Sequence, residues 1–370
     1  MNVLIRKEIL VKGLQALERV VGRNTTLPIV SNILVQADAG TLTLLATDLE
    51  MALKVVIPTK VQQGGAAAVA PRLLSGFLGG ATEDIAELST NNRALHVAVG
   101  SRTTTIKGED AKDFPLMPKV SGQNILHIPA RKLVQGLALV VNAAATSDVK
   151  PELAGVLMWV TSREIRFVAT DSFRLAERAV SQQSTLSSET KAIIPLRAAQ
   201  EMVRAFQETE GDVEVTFEES QLAARDMEAV GARVHFVTKI VDGDFPDYTQ
   251  IIPKTFVTTT TVDKNDLAQQ VRTAGLFASK INDVRVAVGE DQVTVSAQDT
   301  DTGEFQASLA ASTNGEAVEA VFNVRYLADG LQNIEGDEVQ INVSKKDGPV
   351  LLRSPKQSGY FYLLMPIRSS

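Results

Sequence analysis

Short alternations of apolar and polar residues dominate the chain, and three of them end in the same way. Thr41-Leu-Thr-Leu-Leu-Ala-Thr-Asp48, Glu164-Ile-Arg-Phe-Val-Ala-Thr-Asp171 and Gln292-Val-Thr-Val-Ser-Ala-Gln-Asp299 each run as a strand into an aspartate turn. A period of two over this length predicts half-buried strands. The aspartate supplies a side-chain acceptor for its own turn. Asp48, Asp171 and Asp299 stand 123 and 128 residues apart in a chain of 370, so the sequence reads as three tandem units. Asp113-Phe-Pro and Asp244-Phe-Pro, 131 residues apart, mark the ends of the first two. The expected domains are residues 1–120, 121–250 and 251–370.

Between the alternating stretches the period changes to that of a helix. Helices are predicted near residues 6–21, 71–80, 130–143, 196–207, 264–275 and 324–334, roughly 60 to 70 residues apart. Ile9, Leu10, Leu14, Leu17, Val20 and Val21 carry the 3.6-residue period in the first, and Leu133, Leu137 and Val140 in the third. Pro71, Pro129 and Pro195 sit at or just before three of the starts, where a missing amide donor costs least. Alternation returns in Leu95, Val97 and Val99 and in Val339, Ile341 and Val343. Ser181–Thr190 and Ser312–Glu316 read as polar connections, and Trp159 as a core residue. The predicted class is α+β: three domains, each a pair of helix-plus-antiparallel-sheet units.

Composition narrows the function. Hydrophobic residues make up 44% and charged residues 22%, which excludes a disordered or fibrous chain. The absence of cysteine excludes disulfides, thiolate metal sites and a cysteine nucleophile. Arg6, Lys7 and Glu8 interrupt the amino-terminal apolar residues, and stretches such as Leu137–Ala145 fall far short of the roughly 20 apolar residues that span a bilayer. A cytoplasmic protein without a membrane segment is expected. The chain carries −7 overall, yet the helical segments and their ends hold thirteen basic against five acidic side chains. A solvated helix face is the plain explanation. The sharper one is a basic surface that meets phosphate backbones without reading bases. Its residues would be Arg23, Arg72, Arg131, Lys132, Arg197, Arg204, Lys264 and Arg272.

No phosphate loop, serine nucleophile elbow or HExxH pattern occurs, and His96, His127 and His235 are widely separated and read as structural. Ser147 and Lys150 fit an SxxK pattern but lack the accompanying SDN and KTG motifs. The Asp299–Glu304 stretch resembles a calcium loop, with its glycine misplaced and Ala310 where a glutamate is required. No catalytic activity, cofactor or metal is expected.

The turn sequences ATDLE and ATDSFRLA, LPIVSNILV before the first, VDGDFPDY after the second and the tail YFYLLMPIR together resemble the bacterial DNA polymerase III beta subunit family, the sliding clamps. The landmarks are ordered across all three units. The resemblance implies a clamp fold in each domain and a head-to-tail homodimeric ring around duplex DNA, without sequence preference. It also implies a clamp loader that opens the ring, and docking of the polymerase III catalytic subunit and other partners through short peptides. The implied peptide pocket comprises Leu153, Thr170, Ser172, Phe173, Arg174 and Leu175; Pro246, Gln250 and Ile251; and Leu363, Leu364, Met365, Pro366, Ile367 and Arg368. Arg174 and Gln250 would fix the peptide backbone. Where Phe173 stands, the family more often has His or Tyr. The implied subunit contact joins domain one to domain three, with Arg93, Arg102 and Lys107 facing Asp299, Asp301 and Glu304, and Leu276 and Phe277 as apolar anchors.

Helix dimensions test the stoichiometry. With helices roughly 10 Å across, six in a circle leave a bore of about 9 Å, whereas twelve from two chains leave about 28 Å, enough for a duplex about 20 Å wide.

Overall fold

The structure is a computed structural model that describes residues 1–22, 27–227 and 232–367. Arg23 and Arg368 lie outside the described residues. Six α-helices occupy the predicted places: α1 (Lys7–Leu17), α2 (Pro71–Gly79), α3 (Ala130–Val140), α4 (Leu196–Phe206), α5 (Lys264–Ala274) and α6 (Val324–Gln332). Their starts follow local rules. Pro71 opens α2. The Asp263 carboxylate accepts from the Asp266 amide at 2.8 Å to cap α5, and the Asn323 side chain accepts from the Arg325 and Tyr326 amides to cap α6. Helix α1 is shorter than predicted: after Leu17 the chain continues as turns, with Val20 and Val21 both donating to the Leu17 carbonyl.

The chain divides into two compact units, Met1–Gln135 with Gln183–Val241, and Gly136–Gln182 with Asp242–Ser370. The first holds a five-stranded antiparallel sheet in the order 60–63, 2–6, 85–91, 94–99, 102–106. It also holds a nine-stranded sheet in the order 108–109, 65–69, 33–38, 41–47, 51–58, 233–239, 221–226, 212–217, 124–129. Strand 51–58, from the first third of the chain, pairs directly with 233–239, with Lys54 opposite His235. Helix α1 packs on α2 and against Leu44, Val55 and Ile57 on one face of this sheet. The other face carries a separate buried cluster of Ile29, Val30, Leu45, Ala52, Ala68 and Phe114, with Leu34 and Met117 packed on it.

In the second unit the strands follow the order 155–160, 164–170, 174–181, 360–364, 350–353, 338–343, 258–263, 303–315, 292–299, 283–288, 318–323. Again successive thirds share a ladder, here 174–181 on 360–364. Residues 312–315 are the end of the long strand Gly303–Gly315, because they pair with Thr258–Thr261. The connection expected at Ser312–Glu316 is thereby corrected. Helix α3 approaches the sheet closely at Gly136, where a Cβ would stand 2.3 Å from ring carbons of Phe167. Trp159, expected in the core, is half-buried, with the Arg166 guanidinium 5.2 Å over its ring.

Candidate functional site

The repeated aspartate turn is built twice with the same bonds. In the first copy Asp48 Oδ1 accepts from the Glu50 and Met51 amides, Thr47 Oγ1 donates to the Met51 carbonyl at 2.8 Å, and Leu49 takes φ 76°. In the second, Asp171 Oδ1 accepts from Phe173 and Arg174, Thr170 Oγ1 donates to the Arg174 carbonyl at 2.7 Å, and Ser172 takes φ 79°. A left-handed non-glycine residue costs about 1–2 kcal/mol, offset here by the converging hydrogen bonds. In both copies Oδ2 meets a guanidinium: Arg197 for Asp48, and Arg174 for Asp171 at 3.0 Å. The third copy keeps an Asx turn, Asp299 Oδ1 accepting from the Asp301 and Thr302 amides, and its positive φ moves to Gly303.

Strand alternation divides the expected pocket set. Thr170, Leu175 and Leu363 share the sheet face opposite the helices, with Leu175 directly across from Leu363. Leu153 lies buried just before the first strand of this unit. Arg174 and Leu364, paired in register, leave on the helix face. There Leu364 lines a small apolar space with Leu267, Phe322 and Leu327. The Arg174 guanidinium bonds Asp171 and, at 2.5 Å, Asp329 of α6, reaches the Tyr362 hydroxyl at 3.4 Å, and lies 4.1 Å over the Tyr326 ring. Burial works against its charge, but Tyr362, Asp329 and Asp171 outweigh it and push its pKa up. The backbone-fixing role expected of Arg174 is thus corrected. It ties the turn to α6, because a residue next to Leu175 in a strand must point the other way.

Phe173 is 62% exposed on the turn, and its carbonyl accepts from the Met365 amide at 2.9 Å. Met365, Pro366 and Ile367 are half-buried, and the Ile367 amide donates to the Val321 carbonyl. Pro246, Gln250 and Ile251 are exposed on a clip that includes the short 3-10 helix Tyr248–Ile251. The Gln250 amide is already engaged by Asp247 Oδ2 at 2.8 Å, so the second backbone-fixing group is occupied by its own loop. Sequence reasoning missed what anchors the clip. Tyr248 is buried and its hydroxyl donates to Glu177 Oε2 at 2.5 Å, on the same face as Leu175. The available signal was a glutamate two residues beyond Leu175, at an inward position of a strand.

The expected cationic residues differ in how free they are. Arg72, Arg131 and Arg272 are exposed and unpaired among the described residues. Arg197 binds Asp48 and the Arg19 carbonyl, Arg204 binds Glu201, and Lys264 donates to the Ile334 carbonyl at 3.0 Å. Lys132 is half-buried and also engaged.

At the expected subunit contact, strand Arg102–Ile106 is the edge of its sheet, laddered among the described residues only to 94–99. Along Gly303–Ala310 the ladder runs, among the described residues, only to 292–299. Leu276 is 72% exposed, and Phe277 stacks on Phe305 with centroids 5.9 Å apart. Lys107, Asp301 and Glu304 are exposed, Arg93 pairs with Asp110 at 3.6 Å, and Arg102 donates to the Gly80 carbonyl. Asp299 spends one oxygen on its own turn. Leu73 on α2, 61% exposed, is an apolar group that the sequence reading passed over.

Three domains of one repeated sheet-and-helix design define the DNA-clamp fold. Family models of the DNA polymerase III beta subunit match the chain in order: the N-terminal domain over residues 1–118, the central domain over 127–247 and the C-terminal domain over 249–368. The chain is 30% identical to the beta sliding clamp of Synechococcus elongatus, over all of this chain and 99% of that protein. It superposes with a TM-score of 0.92, at 27% identity and full coverage of both chains, on a DnaN sliding clamp from Pseudomonas aeruginosa bound to griselimycin. A DnaN clamp from Bartonella birtlesii, also bound to griselimycin, gives 0.91 at 27% identity over all of both chains. The chain belongs to the DNA polymerase III beta subunit family, the sliding clamps of DNA replication.

Proposed function

We propose that two copies of this chain close head to tail into a ring around duplex DNA and hold the replicative polymerase on it, with no catalytic step of their own. The observation that carries the ring is the pair of unfinished strand edges, Arg102–Ile106 and Gly303–Ala310. An unpaired edge invites another strand. These two differ in charge, Arg102 and Lys107 against Asp301 and Glu304, and each has an exposed leucine near it in its own unit, Leu73 and Leu276. One edge of a subunit thus complements the other edge of its copy, the condition for a heterologous contact that closes after two steps. Exposed ion pairs contribute little, so the leucines and Phe277 supply most of the adhesion.

The unpaired cations Arg72, Arg131 and Arg272 supply weak, sequence-independent attraction to phosphates. Domains near residues 1–120, 121–250 and 251–370 are the units of the ring. The recess formed by Leu153, Thr170, Leu175 and Leu363, rimmed by Phe173, Pro246, Ile251 and Met365, takes an extended apolar peptide. Its ligands are segments of the polymerase III catalytic subunit, the clamp loader and other clamp-binding proteins. Griselimycin bound to two similar clamps supports a ligand-accepting surface in this fold.

Retention on DNA tests the reading. Clamp assembled on closed circular DNA is expected to survive a high-salt wash and to be lost when the circle is cut. Equal loss from circular and linear DNA would overturn encirclement.

A further inference from the structure

A buried carboxylate on the outer face of a sheet calls for a reason, because its desolvation cost must be met by specific partners. Glu177 is such a group, buried between Leu175 and Ala179 on strand 174–181. Its partners converge from two elements. Tyr248 donates to it at 2.5 Å, and Arg166 on the neighbouring strand, itself held by Glu164 and lying over Trp159, supplies the nearby positive charge. Phe361, its register partner on strand 360–364, is apolar. The clip at the other end of the bond is organised by Asp247, which caps it through the Thr249 amide and hydroxyl and holds Gln250. Tyr248 is the clip's buried anchor, with Phe245 edge-on to its ring at 6.2 Å.

The first third of the chain provides an internal comparison. Counting from the aligned aspartates, Lys54 stands where Glu177 does; counting from the aligned Asp-Phe-Pro motifs, Met117 stands where Tyr248 does. There Met117 and Phe114 pack straight onto Leu45 and Ala52, the counterparts of Val168 and Leu175, and cover that face. In the second third the equivalent segment is pinned two residues farther along the strand, beyond Leu175.

We infer that the Tyr248–Glu177 bond is a latch that sets the rim of the peptide recess, making Tyr248 a positioning residue for ligand recognition. The inference rests on reading the recess as the peptide site. The latch holds the clip away from Leu175 and fixes Pro246 and Ile251 as one wall. An ionised Glu177 is the stronger acceptor. Burial raises its pKa, against the opposing effects of Tyr248 and Arg166, so it protonates at a higher pH than an ordinary carboxylate. Acidification therefore weakens the latch before it titrates the exposed carboxylates.

Calorimetric titration of the full chain with griselimycin, from neutral to mildly acidic pH, tests this. Tyr248→Phe is expected to weaken binding roughly fivefold at neutral pH, the worth of about one net hydrogen bond. Glu177→Gln keeps only a neutral acceptor for the hydroxyl, as protonated Glu177 does, so at neutral pH it should bind about as the wild type does on the acid side, between wild type and Tyr248→Phe, and lose the acid decline. Trp159 fluorescence reports folding of every variant, and if Tyr248→Phe does not fold, the Glu177→Gln pH profile carries the test. Wild type binding with Tyr248→Phe unchanged, or with an acid decline that Glu177→Gln retains, overturns the latch alone. A folded wild type that does not bind griselimycin overturns the recess reading and the latch with it.

Discussion

Replacing Arg174 with alanine should unfasten the aspartate turn from α6. The substitution removes a guanidinium whose side chain is 9% exposed, together with its bond to an Asp171 side chain that is 11% exposed. It also removes the 2.5 Å bond to Asp329 and the contact with the Tyr326 ring. Removing one member of a buried pair costs about 3–5 kcal/mol, because the other charge stays behind without its partner. Asp171 retains two backbone amide donors, and Asp329 is about a third exposed and can rehydrate, so the lower part of that range applies, about 3 kcal/mol. Trp159 stands in the same compact unit, so its emission during urea unfolding follows the relevant transition. With a urea dependence of about 2 kcal/mol per molar, the midpoint should drop by about 1.5 M. Pairing the change with Asp171→Asn should recover part of the loss, since the buried orphaned charge is removed and Asp329 can rehydrate. A midpoint shift worth less than about 1 kcal/mol would refute the reasoning, because it would mean that the guanidinium is solvated rather than spent on the turn.

Two further outcomes follow from packing and protonation. Gly136→Ala drives a methyl group into the Phe167 ring, and the same unfolding transition should lose about 1–3 kcal/mol; unchanged stability would mean that α3 can shift freely off the sheet. His235 is held neutral by burial and then by Lys54, Arg225 and Arg233, its pKa lowered to about 4 from 6.5. The unfolded chain takes up this proton first, so the contribution is whole above pH 6.5 and is lost as pH falls towards 4, by about 2 kcal/mol once partial exposure is allowed for. Thermal unfolding across that window should show a slope that His235→Gln flattens, and an identical slope in the variant would assign the acid sensitivity elsewhere.

The elements that a local pattern controls were legible in the sequence. Among the described residues the six helices sit near the predicted places, the first ending early at Leu17, and Asp48 and Asp171 make the turns that their repeated motif implies. What escaped was set by partners distant in sequence. Residues 312–315 read as polar linker because the strand that orders them, Thr258–Asp263, lies more than 50 residues upstream. Arg197 reads as a free cation until the fold brings Asp48, 149 positions away, against it. Family resemblance could assign Arg174 to a pocket without saying which way it points. Simple alternation past Leu175 carries that information. Glu177 and Tyr248 are 71 residues apart, and neither is unusual until the two meet.

Joints between successive thirds of the chain are strand ladders, 51–58 on 233–239 and 174–181 on 360–364. A ladder loaded along its strands shares the force over many hydrogen bonds at once, whereas one loaded across its strands fails one rung after another. In the proposed ring the seam between subunits ends on an edge of five residues, Arg102–Ile106, the same length as strand 360–364 in the internal joint. The internal joints are also tied by the chain itself whereas the seam is not, so opening the proposed ring would mainly return Leu73, Leu276 and Phe277 to water.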